Sequence, residues 1–148
     1  MKMLGGDGMR DAAQTAVLNA NYLKKLLEPH CDAATPGLCM HEFVLTMEHL
    51  KKETGVSAMD VAKSMLDYGM HPPTMYFPLI VPEALMFEPT ETESKETLDW
   101  AAQTIAEILE RAHTDPESLH AAPTRTPIRR PDEVRAARTP KLRYSFDA

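Results

Sequence analysis

Apolar residues recur at helical spacing in three stretches of the chain and alternate or cluster in three others. Ala13, Ala16, Val17, Ala20, Leu23 and Leu27 share one face and stop at Pro29, which predicts a first helix over about residues 9–28. Asp7 or Gly8 stands where its N-cap would be. The turn-forming run Ala33-Ala34-Thr35-Pro36-Gly37 comes next. Phe43, Val44 and Leu45 then give strand character to residues 39–47, with odd positions on one face. Residues 49–54 read as a short polar connection or helical turn closed by Gly55. Ser57 with Asp60 three residues on forms a capping-box-like start, Val61, Ala62, Met65 and Leu66 make the apolar stripe, and Gly69 ends this second helix. Residues 75–77 and 84–87 are two short bulky strands, joined loosely because Pro78 and Pro82 deny the connection a regular ladder. In the last helix, Thr90 with Glu93 offers a capping box and the stripe from Leu98 through Ile105 and Ile108 runs to Arg111 or Ala112, ahead of Asp115-Pro116. Proline density and lost periodicity then predict an extended tail, ordered only where something holds it.

Helix, strand, helix, strand, strand, helix and tail make an α+β fold, with helices covering one face of a small, largely antiparallel sheet. Residues 1–30 form the leading helix, 31–114 the α+β body and 115–148 the basic, proline-rich tail. Ten methionines, several between Met65 and Met86, leave apolar surface beyond what one helix layer buries, which implies a partner domain or subunit. The 148 residues with 43% apolar content suffice for one core and exclude a disordered chain or a collagen. No stretch approaches the roughly 20 apolar residues of a membrane span, and the start offers no signal-peptide apolar region, so the expected location is cytoplasmic. Cys31 and Cys39 are then expected to be reduced thiols.

Sixteen Lys and Arg against 22 Asp and Glu give a net charge of −6, unevenly placed. Residues 123–148 carry seven basic side chains against three acidic ones, so the body is strongly acidic and the tail basic. With prolines at 127, 131 and 140 and few aromatics to stack on bases, the tail reads as a strap for an acidic protein surface rather than for nucleic acid.

Candidate chemistry is sparse. The glycines at 5, 6 and 8 follow no strand and precede no Lys-Ser/Thr, so phosphate-cradle patterns fail. His30, Cys31, Cys39 and His41 lack zinc-ligand spacing, and Cys39 and His41 sit nearly seven ångströms apart in an extended chain, about two residue rises, so no metal or thiol site is assigned. The run Tyr68-Gly69-Met70-His71-Pro72-Pro73-Thr74 is more informative: two prolines force His71 out of helical space, can accommodate a cis bond, and hold His71 and Thr74 in fixed orientation. Such a turn either presents an imidazole and a hydroxyl to a ligand or merely redirects the chain. Glu88-Pro89-Thr90-Glu91 reads first as helix capping, and Trp100 as packing beside the last stripe.

Together the motifs Leu18-Asn19-Ala20-Asn21-Tyr22, His41-Glu42-Phe43, Asp67-Tyr68-Gly69, His71-Pro72-Pro73-Thr74 and Glu88-Pro89-Thr90-Glu91 carry a specific resemblance. Residues 12–27, 40–99 and 126–144 resemble the C-terminal region of the glycine dehydrogenase (decarboxylating) family, the P-proteins of the glycine cleavage system, most closely the bacterial subunit 2 branch. The resemblance implies the small C-terminal domain of a fold-type I pyridoxal-phosphate enzyme, with residues 1–30 as the helix linking it to a large domain. It implies an oxidoreductase that decarboxylates glycine and passes the aminomethyl group to the lipoyl H-protein, in a hetero-oligomer with subunit 1.

The family's cofactor lysine lies in an Asn-x-His-Lys setting, and no lysine of this chain does. The chain is therefore expected to bind no cofactor covalently and to hold no catalytic residue of its own. His71, Pro72, Pro73 and Thr74 are the candidates for the mouth of the substrate site. A non-catalytic adaptor for the other P-protein subunit or the H-protein is the alternative.

Overall fold

Two four-residue strands organise the sheet. In a computed structural model that describes residues 2–146, β2 (Phe43–Thr46) pairs antiparallel with β4 (Ala84–Phe87), placing Phe43 opposite Phe87 and Leu45 opposite Leu85. Strand β1 (Asp32–Ala33) lies outside β2 and β3 (Thr74–Met75) outside β4, so the order is β1-β2-β4-β3, antiparallel throughout. The period of two turns Phe43, Leu45, Leu85 and Phe87 to the helices, where the Phe43 and Phe87 rings stack at 5.4 Å. Val44, Thr46 and Met86 occupy the other face and are only half-buried.

The helices are α1 (Gly5–Leu27), α2 (Glu48–Thr54), α3 (Ala58–Asp67) and α4 (Lys95–Thr114), followed by the short α5 (Pro116–Ala121) and α6 (Glu133–Arg138). Leu23 and Leu27 of α1, Val61 and Met65 of α3, and Leu98, Ile105 and Ile108 of α4 meet the sheet in one core. The expected α+β arrangement holds.

Several boundaries differ from expectation, each for a local reason. Helix α1 starts at Gly5, with Asp7 inside its first turn rather than at the cap. Strand β2 starts at Phe43, not at residue 39, because the Asn21 amide engages both backbone groups of Cys39: the Cys39 N–H donates to Oδ1 at 2.9 Å and Nδ2 donates to the Cys39 carbonyl at 2.8 Å. Those are the groups a strand would use for its ladder. Conversely, Ala33 pairs with Leu45 inside the run expected to be a turn.

Helix α3 begins with the expected capping box, Asp60 N–H to Ser57 Oγ at 3.3 Å and Ser57 N–H to Asp60 Oδ2 at 2.8 Å. It ends in a Schellman motif at Gly69, whose φ of +78° is open to glycine, with the Met70 N–H reaching the Met65 carbonyl at 3.1 Å. Helix α4 is capped by Ser94, which accepts from the Thr97 N–H, and not by Thr90 and Glu93. The carbonyls of Thr90 and Glu93 are held by Asn19 instead, which keeps that segment out of the helix. At its other end α4 runs to Thr114, where Asp115 caps α5 by accepting from the Ser118 N–H.

The β3–β4 connection is a rigid apolar projection. Tyr76 and Glu83 at its two ends adopt left-handed backbone, φ +58° and +49°. Glu83 is tied down on all sides: its carbonyl accepts from the Met47 N–H, and its carboxylate accepts from the Ala58 N–H at 2.8 Å and from Lys51. Between them Leu79 and Ile80 are 88% and 90% exposed. Cis bonds precede Pro78 and Pro123, whereas the turn at residues 71–74 contains none.

The tail is not extended from residue 115. Leu119, Ala122 and Pro123 are buried, and two α3 carboxylates fasten residues 124–130. Asp67 accepts from the Thr124 N–H at 2.8 Å and the Arg125 N–H at 2.7 Å. Asp60 pairs with Arg130 at 2.7 Å, and Arg130 also donates to the Ala122 and Leu119 carbonyls. Residues 131–146, including α6, are exposed.

Burial raises the pKa of both Asp60 and Asp67, but hydrogen bonds to their charged forms outweigh it and hold both below the ordinary 3.8. Because the folded values are depressed, the stability these clamps contribute is fully present above about pH 3.8 and lost as pH falls through the folded values. A pH titration of the Thr124 and Arg125 amide resonances should therefore show a midpoint below 3.8, and Asp67→Asn should abolish that transition. A midpoint at or above 3.8 would count against the clamp. In the core, Leu85→Ala should cost about 2–5 kcal/mol in denaturant unfolding, while Leu79→Ala should change stability by less than about 0.5 kcal/mol.

Candidate functional site

A cleft of about 500 Å³ lies between the turn that follows α3 and the loop that precedes α4. The expected turn of His71, Pro72, Pro73 and Thr74 forms one wall, and Glu88, Pro89, Thr90 and Glu93 form the other. Met70, Met86 and Phe87 contribute apolar lining, and α4 contributes Trp100. Sequence reasoning treated the two polar motifs separately; the fold brings them face to face.

Different devices hold the two walls. The Schellman motif turns the chain out of α3 at Gly69, Pro72 and Pro73 keep it extended, and pairing of Thr74 with Met86 fixes its far end. Opposite, Pro89 is buried and the Asn19 amide donates to the Thr90 carbonyl at 2.8 Å and the Glu93 carbonyl at 3.1 Å. Asn19 itself is buried on α1. A loop without its own ladder is thereby pinned to a 23-residue helix.

His71 and Thr74 are exposed at the cleft, and their side chains have no hydrogen-bond partner among the described residues. They offer an imidazole and a hydroxyl to an incoming ligand. Glu88 and Glu93 face them with acceptors, and Glu88 stands 3.9 Å from His41. The set suits a small ligand with hydrogen-bonding groups beside an apolar portion.

Among the described residues, no lysine or arginine lines the cleft. Lys24 is spent on the Thr35 and Gly37 carbonyls, and Lys25, Lys51, Lys52 and Lys95 are paired with carboxylates. The residues present therefore do not fit an aldehyde coenzyme such as pyridoxal phosphate, which requires an amine to bind covalently and cations or amide groups around its phosphate.

The cysteine and histidine candidates are placed separately. Cys31 lies with His30 in a smaller pocket of about 260 Å³, where His49 Nδ1 is 3.0 Å from Asp32. Burial pushes the Cys31 thiol up to about 12, and Sγ donates to the Leu27 carbonyl at 3.6 Å, which opposes thiolate chemistry. Cys39 and His41 both precede β2, so the strand geometry expected for them does not occur. No group of three or more His, Cys, Asp or Glu side chains suited to a metal ion occurs among the described residues.

Two contributors were missed. Asn19 is a polar residue in an otherwise apolar stripe, between Ala16 and Leu23, and that position is the signal that it must find a partner in the interior. Trp100 is 42% exposed on the cleft rather than packed beside the α4 stripe.

Comparison with known proteins gives a consistent family. Residues 12–127 match the family described as glycine dehydrogenase, C-terminal domain. Two relatives named probable glycine dehydrogenase (decarboxylating) subunit 2 are similar over nearly the whole chain. The one from Treponema denticola is 60% identical over 95% of this chain and 29% of its own length. The one from Thermosipho africanus is 55% identical over 99% of this chain and 31% of its own length. The fold resembles that of a crystal structure of glycine decarboxylase (P-protein) of the glycine cleavage system in inhibitor-bound form, with TM-score 0.62 and 25% identity over 72% of this chain and 23% of that one. The chain thus spans less than a third of the length of these relatives. With 12–127 of 148 residues matched, it belongs to the family of glycine dehydrogenase C-terminal domains.

Proposed function

We propose that this chain supplies one wall of the active site of a glycine decarboxylase, closing over a coenzyme carried by a large domain. The observation that supports this most directly is the meeting of residues 71–74 and 88–90 across one cleft, with His71 and Thr74 unpartnered among the described residues. In this reading residues 1–30 link the large domain to the small one, residues 31–114 form the small domain, and 115–148 form a tail that docks on neighbouring parts. The partners are the large domain, subunit 1 and the lipoyl-bearing H-protein.

A pyridoxal phosphate held by the large domain would supply the electron sink for chemistry at the glycine α-carbon. This chain's residues position and enclose. His71 and Thr74 hold polar groups of the substrate from the side opposite the coenzyme, and Pro72 and Pro73 keep those groups at a fixed spacing. Met70, Met86 and Trp100 exclude water from that side. Separated from the large domain, the chain does no chemistry.

The purified chain should show no glycine–bicarbonate exchange with pyridoxal phosphate added. Substituted for the matching segment of the Treponema denticola relative, it should support exchange, and His71→Ala or Thr74→Val should each lower kcat/KM at least roughly tenfold with unchanged thermal unfolding. Exchange by the lone chain, or full activity of both variants, would refute the assignment.

A further inference from the structure

Helix α1 holds a second surface beside the cleft. Lys24 donates to the Thr35 and Gly37 carbonyls, and nearer the helix start Asn21 bonds both backbone groups of Cys39. The loop 35–40 therefore runs along α1 toward its N-terminal end. Asn21 also donates to the Val17 carbonyl at 2.8 Å, which brings the Cys39 end of the loop against the turn that carries Leu18. Cys39 packs on the core, whereas its neighbours Leu38 and Met40 are 92% and 70% exposed and Leu18 is 66% exposed. Four hydrogen bonds from α1 side chains fix this loop in one shape. A fixed loop that turns a leucine and a methionine to water beside an exposed leucine is organised in advance for a partner.

Position selects that partner. None of residues 5–14 of α1 is buried, so the first half of the helix has no footing on this domain. The matched family is a C-terminal domain, and the remainder of each relative, more than twice the matched length, precedes it. Leu18 lies about 20 Å along the helix from Gly5, whereas a body of that size is roughly 50 Å across. A domain joined to the start of α1 therefore reaches the Leu18 turn without stretching the chain. Being attached, it meets the patch at an effective concentration of about millimolar, which a separate copy in dilute solution does not match.

The patch also continues into the cleft rim. His41 follows Met40 and stands 3.9 Å from Glu88, which lines the cleft. The other exposed apolar feature of the body, Leu79 with Ile80, lies beyond the Ala84 end of β4, while the cleft is at the Phe87 end.

We propose that Leu18, Leu38 and Met40 form the seam on which the large domain rests beside the cleft, with Asn21 and Lys24 holding that seam in shape. The inference rests on the reading of this chain as the small domain of a glycine decarboxylase and adds the surface by which the two parts grip each other. Substrate keeps the cleft itself, because none of the three seam residues lines it.

Hydroxyl-radical labelling, which follows side-chain exposure, tests it on the lone 148-residue chain and on the same chain grafted into the Treponema denticola relative. In the graft, labelling of Leu38 and Met40 should fall at least about fivefold as the patch is covered, while Leu79 and Ile80 keep their lone-chain rates. Leu38→Asp with Met40→Asp should leave the unfolding temperature of the lone chain unchanged, since both residues are exposed, yet in the graft it should return Leu18 to its lone-chain labelling. Met47, 2% exposed, stays unlabelled wherever the domain is folded. The positions of the unaltered relative aligned with 38 and 40 give the same readout without a graft, and protection is expected there too. Equal labelling of Leu38 and Met40 in graft and lone chain overturns the proposal. Protection that grows in the lone chain with its concentration also overturns it, because the occupant is then a second copy. Glycine–bicarbonate exchange is scored separately: a covered seam without exchange counts against the catalytic reading alone, and exchange with the seam still exposed counts against this inference alone.

Discussion

Three polar side chains of α1 hold the irregular parts of the structure in place. Asn19 takes the carbonyls of Thr90 and Glu93, Asn21 takes both backbone groups of Cys39, and Lys24 takes the carbonyls of Thr35 and Gly37, with the shortest bond of each at 2.8 Å. Segments without a ladder or helix bonds leave backbone groups that are costly to bury unpaired, and α1 supplies their partners. The same contacts delay the start of β2 and postpone the start of α4. The loop between Thr90 and Ser94 is thereby held at the edge of the cleft. The wall opposite His71 is thus positioned from α1.

Attachment of the tail follows the same economy of means, with carboxylates in place of amides. Asp60 and Asp67 lie seven residues apart, and a seven-residue step returns to nearly the same side of an α-helix. One after the other they receive Arg130 and the amides of Thr124 and Arg125. Apolar anchoring is concentrated earlier, at Leu119, Ala122 and Pro123. The tail therefore passes from cored, to clamped by polar contacts, to exposed along its length, and local stability should decline in that order.

The sequence made the regular elements legible because their signals are local. Ser57 with Asp60 and Gly69 mark α3 through hydrogen bonds spanning three to five residues, and alternation around Phe43 and Leu85 marks the paired strands. What was not legible depends on partners distant in sequence. Thr90 and Glu93 satisfy the spacing of a capping box, yet their carbonyls bond to a side chain more than 70 residues away, and Ser94 becomes the cap. Residues 116–130 look extended by composition, but Leu119, Ala122 and Pro123 enter the core and α3 presents the carboxylates that hold residues 124–130. For the candidate site, the rigid turn at 71–74 was readable from its prolines. Its partnership with residues 88–90 and Trp100 required the sheet to be folded, since only the pairing of β3 with β4 brings them near.

Glu83 shows a conflict between backbone and side chain at one position. Its left-handed φ of +49° favours glycine, which would relax the turn and leave its own main-chain bond to Met47 available. Glycine would also uncap the first amide of α3 and strip Lys51 of its counterion. No single natural amino acid meets both demands, so attempts to thermostabilise this domain by relieving conformational tension would gain at the hinge of the hairpin only what they forfeit at the neighbouring helix. Residues that look ill-chosen by Ramachandran preference can thus be the ones whose replacement offers an engineer least.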